Sequence, residues 1–252
     1  MMFSSIRPWF KFTVVVLILA FYLSRLLIIS ILTGKNEHRS FRFRKKFCLT
    51  SIRILGIDYQ KQGSPYPGVC LYVSNHRSML DPLIELSWMD TYILSKAEVG
   101  DYPLLGRGAK ETGVVFVDRE NHKSRKNALN AIESLLKSNC SVMIYPEGTT
   151  HSEDLTGEFR KGAIELAFDL GVPIVPVMIE YPDSSYYWSH EKLMDYFVRI
   201  FRPARKIIVK GKIGEPIDSD HRKHIVSMTQ NEINKMIIEV RKDFRINIPS
   251  GQ

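Results

Sequence analysis

Apolar residues are unevenly distributed along the chain. From Phe12 to Thr33 they form a nearly unbroken run, FTVVVLILAFYLSRLLIISILT. At about 1.5 Å per residue, one helix of that length crosses the hydrocarbon core of a bilayer. Arg25 stands in the middle of the run, and a guanidinium at mid-membrane costs about 2.5–3.5 kcal/mol on insertion scales. A break near Ser24-Arg25 therefore predicts two shorter helices, a hairpin immersed in one leaflet, in preference to a span. The run leads into KNEHRSFRFRKK, where six Lys/Arg interleave with Phe41 and Phe43. No small-x-small site closes it, so the segment is expected to stay attached and not to be cleaved as a signal peptide.

Beyond residue 60 short apolar runs alternate with amphipathic stretches, the pattern of parallel strands joined by helices. Val69–Ser74, Val114–Val117, Val142–Tyr145, Ile174–Tyr181 and Ile207–Lys210 read as strands. Between them Ala128, Leu129, Ile132, Leu135 and Leu136 recur at helical spacing. A second helix runs from Ile164 to Leu170 and stops at Gly171, and Ile233, Met236, Ile237, Val240 and Phe244 mark a last one. The fold class expected is α/β: a mostly parallel sheet flanked by helices, preceded by an N-terminal membrane-embedded helical hairpin. Residues 1–47 read as a membrane-associating helical segment with a basic flank and 48–252 as one compact α/β domain, because connections are short and no repeat intervenes.

Composition narrows the partners. With 44% apolar and 25% charged residues the chain is a poor fit to a disordered tail or a polytopic transporter. A net charge of +8 ordinarily raises nucleic acid as a partner. Residues 1–60, however, hold ten Lys/Arg against Glu37 and Asp58, which accounts for all of that charge and leaves the remainder neutral. A basic cluster beside an apolar helix is drawn to anionic lipid by about 1 kcal/mol per residue near the surface and marks the cytoplasmic side. The expected partner is thus an anionic membrane surface at the cytoplasmic face, the inner membrane in a bacterium, and not nucleic acid. Cys48, Cys70 and Cys140 are odd in number and widely spaced, a pattern of neither a disulfide framework nor a metal site.

The candidate chemistry lies in Ser74-Asn75-His76-Arg77-Ser78-Met79-Leu80-Asp81-Pro82, directly after a strand, where open α/β sheets bind ligands. Pro82 suits the first turn of a helix, with Asp81 as its N-cap or beside it. On one straight helix His76 and Asp81 would diverge by about 140°, at roughly 100° per residue. With His76 in the preceding loop, the carboxylate can turn back on the imidazole, hold one ring nitrogen and leave the other free to take a proton. A capping or core hydrogen bond explains an arbitrary His–Asp pair as well, so three further stretches carry weight. Gly113-Val-Val-Phe-Val-Asp-Arg119 sets an arginine just past a strand end. Tyr145-Pro-Glu-Gly-Thr149 sets Glu147 in a turn, available to a hydroxyl or a cation. Val172-Pro-Ile-Val-Pro-Val177 places prolines around a strand start. Tyr181, Tyr186, Tyr187 and Trp188 cluster near Pro182, where lipid contact and core packing explain them equally well. Gly106-Arg-Gly108 begins like a dinucleotide fingerprint but lacks the third glycine and reads as a turn.

In their order these stretches resemble the glycerophosphate acyltransferase superfamily, most closely its bacterial lysophosphatidic acid (1-acyl-sn-glycerol-3-phosphate) acyltransferases. NHRSMLD is similar to the family's N-H-x4-D block, GVVFVDR to its second, YPEGT to its third and VPIVPV to its fourth. Lys96 in KAEV and Phe159-Arg-Lys-Gly-Ala163 match lesser features, and the likeness covers about residues 70–180. The resemblance implies His76 as catalytic base, Asp81 as its orienting partner, and Lys96 and Arg119 as contacts for the acceptor's phosphate. It also implies Asn75, Glu147, Gly148 and Thr149 as substrate-binding residues, Glu147 and Gly148 shaping the acceptor site. The family usually carries an arginine after Gly-Thr, whereas Thr150 and His151 follow here. That leaves Arg119, Lys96 and either Arg160 or Lys161 to hold the phosphate.

The implied reaction moves a fatty acyl group from acyl-CoA or acyl-carrier protein to the sn-2 hydroxyl of a lysolipid acceptor, lysophosphatidic acid, giving phosphatidic acid. A thioester is already activated and the G-x-S-x-G elbow is absent, so the chemistry requires no cofactor, no metal and no covalent acyl-enzyme. A different lysolipid acceptor, prompted by Thr150, and a non-catalytic membrane-surface module are the alternatives.

Overall fold

The structure is a computed structural model and describes residues 3–117, 122–189, 191–219 and 221–246. In chain order its elements are α1 (Phe3–Thr33), α2 (Glu37–Leu55), β1 (Ile57–Gln62), β2 (Leu71–Ser74), α3 (Asp81–Glu85), β3 (Tyr92–Lys96), α4 (Pro103–Glu111), β4 (Val114–Val117), α5 (His122–Lys137), β5 (Val142–Ile144), α6 (Gly162–Asp169), β6 (Ile174–Glu180), α7 (Leu193–Phe201), β7 (Ile207–Ile213) and α8 (Arg222–Ile246). They group into two compact units.

The first unit, residues 1–58, 82–134 and 190–206, is built on α1 and α2. These pack antiparallel, with Lys11 Nζ donating to Leu55 O near one end and Tyr22 meeting Phe43 edge-on at 6.3 Å farther along. The hairpin's turn is not at Ser24-Arg25. Neither residue is a helix breaker, so α1 runs through both, and Arg25 lies exposed with its guanidinium over the Phe21 ring at 5.5 Å. The chain reverses instead at Gly34-Lys35-Asn36. Gly34 takes φ +79°, which costs glycine nothing, and Asn36 Oδ1 caps α2 by accepting from Arg39 N at 2.9 Å.

The basic flank is therefore itself a helix, α2, which continues through residue 47 without interruption. Its cations are not all available to lipid. Arg44 is 5% exposed, donates to Thr112 O at 2.6 Å and covers Phe41 at 4.3 Å, and burial lowers its guanidinium to about 10. Lys35 pairs with Glu111 and Lys45 with Asp90, which leaves Arg42 and Lys46 facing outward. On α1, Ile6, Phe10, Leu17, Phe21 and Ile28 recur at helical spacing and are exposed, an apolar stripe opposite the buried Leu23 and Leu26. From Ile6 to Thr33 this helix is long and apolar enough to cross a membrane by length and composition. Strands β3 and β4 pair in parallel, Ile93 opposite Val114. Gly106-Arg-Gly108 lies inside α4 and is not a turn: a Cβ at Gly106 would fall 2.0 Å from Gly100 O, so the glycine lets the helix close on the segment before it.

The second unit, residues 59–81, 135–189 and 207–252, holds its strands in the order β1-β7-β6-β2-β5. β2 pairs in parallel with β5, Leu71 opposite Val142, and with β6, Leu71 opposite Ile174. β6 pairs antiparallel with β7, Val177 opposite Ile213. The fold is α/β, a mostly parallel sheet flanked by helices. β2, β5 and β6 are buried at every position, which is why they appear in the sequence as continuous apolar runs and not as alternating ones. α8 covers β6 through Ile233, Met236, Ile237 and Val240, and α6 adds Ile164 and Ala167. Pro176 falls one residue before the β7 ladder begins at Val177, so its missing N–H interrupts no bond on that side.

Candidate active site

β2 ends at Ser74, and the chain from there to Asp81 is buried except at His76 and Met79. Asn75 aligns this segment. Its Nδ2 donates to Ile179 O and its Oδ1 accepts from Ile179 N, both at 2.9 Å. Asn75, expected among the substrate contacts, thus pairs its carboxamide with the backbone of β6. Asp81 does not cap α3 from outside but opens it, and its carboxylate turns backward over the loop. Oδ2 accepts from Arg77 N at 2.7 Å and Ser78 N at 2.8 Å and lies 2.8 Å from His76 Nδ1. Oδ1 accepts from Tyr181 Oη at 2.6 Å. A wholly buried carboxylate surrounded by donors is an acceptor, so Nδ1 of His76 carries its hydrogen and Nε2 keeps the lone pair. The imidazole stacks on Tyr145, centroids 4.2 Å apart and planes 13° from parallel, and its side chain retains 12% exposure.

Glu147, from the turn after β5, braces the same loop. Its Oε1 accepts from His76 N at 2.9 Å and its Oε2 from Gly157 N at 2.8 Å. Both oxygens thus hold backbone, one N–H each. Burial pushes this carboxylate above the usual carboxyl range, against the opposing pull of the Gly157 and His76 N–H groups and of the Arg77 and His151 charges. Gly148 follows with φ +75°, and a Cβ there would lie 2.7 Å from Arg160 Cζ. The Arg160 guanidinium therefore rests directly against the glycine. It is exposed and has no ionic or hydrogen-bonding partner among the described residues. Lys161, by contrast, stands 3.9 Å from Glu165. Thr149 is exposed, and Thr150 Oγ1 donates to Trp188 O at 3.5 Å. Arg119 lies outside the described residues, and of Lys96 the backbone alone is described, at the end of β3.

Residues to which the sequence assigned no role in the site complete the arrangement. Arg77 is fully buried, and its guanidinium donates to the carbonyls of His151 at 3.0 Å, Glu153 at 2.6 Å and Asp154 at 3.1 Å, folding the loop 151–155 around itself. Behind it Glu180, also buried, accepts from Tyr187 Oη at 2.5 Å and Arg241 Nε at 3.2 Å. Tyr181, Tyr186 and Tyr187 are all buried, so packing and not exposure to lipid accounts for these three. No local signal marks Arg77 or Tyr181, because their partners lie about 70 to 100 residues away in the chain.

A base-capable imidazole with an oriented ring is shared by many hydrolases and transferases, and relatives narrow the choice. A 1-acyl-sn-glycerol-3-phosphate acyltransferase from Helicobacter pylori is 28% identical over 169 residues, 65% of this chain and 69% of its own length. A chloroplastic 1-acyl-sn-glycerol-3-phosphate acyltransferase from Brassica napus is 37% identical over 111 residues, 44% of this chain and 32% of its own length. The match thus spans about a third of the plant relative and about two thirds of the bacterial one. The crystal structure of the 1-acyl-sn-glycerophosphate (LPA) acyltransferase from Thermotoga maritima superposes with a TM-score of 0.71 over 93% of this chain and 94% of that one, at 20% identity, a likeness of fold. The family model described as Acyltransferase matches residues 52–180, which include His76, Asp81, Glu147 and Gly148, and by that match the chain belongs to the acyltransferase family.

Proposed function

We propose that this chain transfers a fatty acyl group from a thioester, acyl-CoA or acyl-carrier protein, to the sn-2 hydroxyl of lysophosphatidic acid. His76 Nε2 takes the hydroxyl proton as the oxygen attacks the thioester carbonyl. The tetrahedral intermediate then expels the thiolate, and the imidazolium returns the proton to sulfur. Asp81 holds the Nδ1 hydrogen and stabilises the imidazolium as it forms. The observation that carries this reading is the 2.8 Å contact between His76 Nδ1 and a carboxylate already held by two backbone donors and a phenol.

The 1-acyl-sn-glycerol-3-phosphate acyltransferase relatives from Helicobacter and Brassica support lysophosphatidic acid as the acceptor. So does the Arg160 guanidinium beside Gly148, without an ionic partner among the described residues, a cation where Thr150 supplies none. Lys96 and Arg119 are kept as phosphate contacts on the family resemblance. The apolar stripe of α1 and the outward Arg42 and Lys46 support attachment to an anionic bilayer, with the basic residues on its cytoplasmic face.

The test is thiol release by the full chain in anionic vesicles, with mass-spectrometric identification of products across lysolipid acceptors. Wild type is expected to prefer lysophosphatidic acid, and His76→Ala to lose roughly 10²-fold or more of its turnover while staying folded. Undiminished thiol release in that variant overturns the assignment of the base. Transfer to another lysolipid but not to lysophosphatidic acid overturns the acceptor.

A further inference from the structure

The two oxygens of Asp81 are held differently. Oδ2 collects three N–H groups, whereas Oδ1 meets the phenol of Tyr181 at 2.6 Å, the shortest of the four contacts. Tyr181 is 1% exposed and follows β6 directly. Its ring is held by Tyr186, centroids 6.2 Å apart and planes 17° from parallel, and edge-on by Tyr187 at 6.3 Å. Its backbone N–H donates to Glu180 Oε1 at 3.0 Å, the oxygen that also receives Tyr187 Oη. Arg241 Nη2 closes the group on Tyr187 at 3.0 Å. A phenol fixed on so many sides has little freedom in where it sends its hydrogen.

We infer that Tyr181 is a positioning residue for the acyl transfer: by donating to Oδ1 it sets the rotation of the Asp81 carboxylate and moderates the charge that this carboxylate presents to His76. The inference rests on the reading of His76 as the base. Arg77 N and Ser78 N hold Oδ2, but neither reaches Oδ1, and a buried carboxylate oxygen stripped of its donor is costly and strongly attracts the nearest proton. Without the phenol, the carboxylate grips the imidazolium harder and the base is free over a narrower range of pH. The other charged groups around the pair are Glu147 on the His76 backbone, His151 beside Glu147, and Arg77, Glu180 and Arg241 behind Tyr187. Tyr181→Phe leaves each of them in place.

The experiment measures kcat, KM and the pH profile of the full chain in vesicles for Tyr181→Phe, for Asp81→Ala and for the double variant, with His76→Ala as reference. Tyr181→Phe is expected to lower kcat about tenfold with KM little changed, and to move the acid limb of the profile to higher pH. In the Asp81→Ala background it adds no further loss beyond about twofold, because its route to the imidazole is already gone. Tyr181→3-fluorotyrosine, whose phenol donates more strongly, moves the acid limb to lower pH and serves equally if the phenylalanine variant folds poorly. Persistent turnover in His76→Ala overturns the reading of the base itself. An inactive His76→Ala together with a wild-type profile in both residue-181 variants, or with losses that multiply in the Asp81→Ala background, overturns the role of Tyr181 alone.

Discussion

Replacing Arg77 with methionine probes how the loop 151–155 is held over the site. Methionine retains much of the aliphatic stem and removes the guanidinium, so the change is one of hydrogen bonds more than of volume. Three carbonyls, of His151, Glu153 and Asp154, lose donors at 3.0, 2.6 and 3.1 Å, and the Leu155 carbonyl at 3.4 Å is too distant to matter much. Hydrogen bonds from an ionised donor contribute about 1.5–3 kcal/mol each. The gross loss is reduced because the variant escapes the cost of burying a guanidinium, and because Glu180, 3.7 Å from Arg77, keeps Arg241 and Tyr187. A net loss of about 3–5 kcal/mol remains, the usual result of breaking a buried ionic group, which lowers the melting midpoint by roughly 6–20 °C. Thermal unfolding reads this directly. A protease specific for acidic residues should cut faster after Glu153 and Asp154, and turnover should fall with loop order, since Gly157 binds Glu147 and Glu147 binds His76 N. A midpoint within about 2 °C of wild type with unchanged cleavage would refute the reasoning.

Glu147→Gln leaves one of two backbone N–H groups facing an amide NH₂, a loss of about 1–3 kcal/mol in denaturation. A carboxyl raised by burial binds its proton more tightly folded than unfolded. Its ionised form therefore opposes folding, and wild type gains stability as pH falls through the raised value toward the ordinary carboxyl range. The glutamine variant lacks that gain, so parallel pH–stability curves would contradict the assignment. Arg160→Ala is expected to raise KM for lysophosphatidic acid by about tenfold or more, the loss of one charge-assisted contact, with little effect on an acceptor lacking phosphate. An unchanged ratio between the two acceptors removes Arg160 from the headgroup. Replacing Phe10, Leu17 and Phe21 by serine strips about 1.5–3 kcal/mol of burial per side chain from the α1 stripe. Co-sedimentation with anionic vesicles should drop by at least about a hundredfold, and equal binding would show that this face does not meet lipid.

Several elements were legible because their pattern is local. β4 occupies Val114–Val117 as read, and the helix ending before Gly171 ends there because the glycine takes φ +66°. The spacing of His76 and Asp81, which no continuous helix can satisfy, allowed their contact once His76 stood in a loop, and the structure shows it at 2.8 Å. α2 was not legible as a helix, since Arg44 occupies a buried position of its apolar face and breaks the period between Phe41 and Cys48. β1 and β3 were missed because they are short and partly exposed, without an unbroken apolar run.

The order of residues alone determined that an imidazole and a carboxylate follow the same strand end five residues apart, and that a basic, apolar N-terminus precedes a neutral α/β region. Those are consequences of chain geometry and of transfer free energy, both properties of near neighbours. Only the tertiary structure decided what holds the pair in place: a phenol one hundred residues away on Oδ1 and a glutamate from the turn after β5 on the His76 backbone. Buried polar groups must find partners wherever the fold supplies them, and no rule of sequence spacing says where that will be.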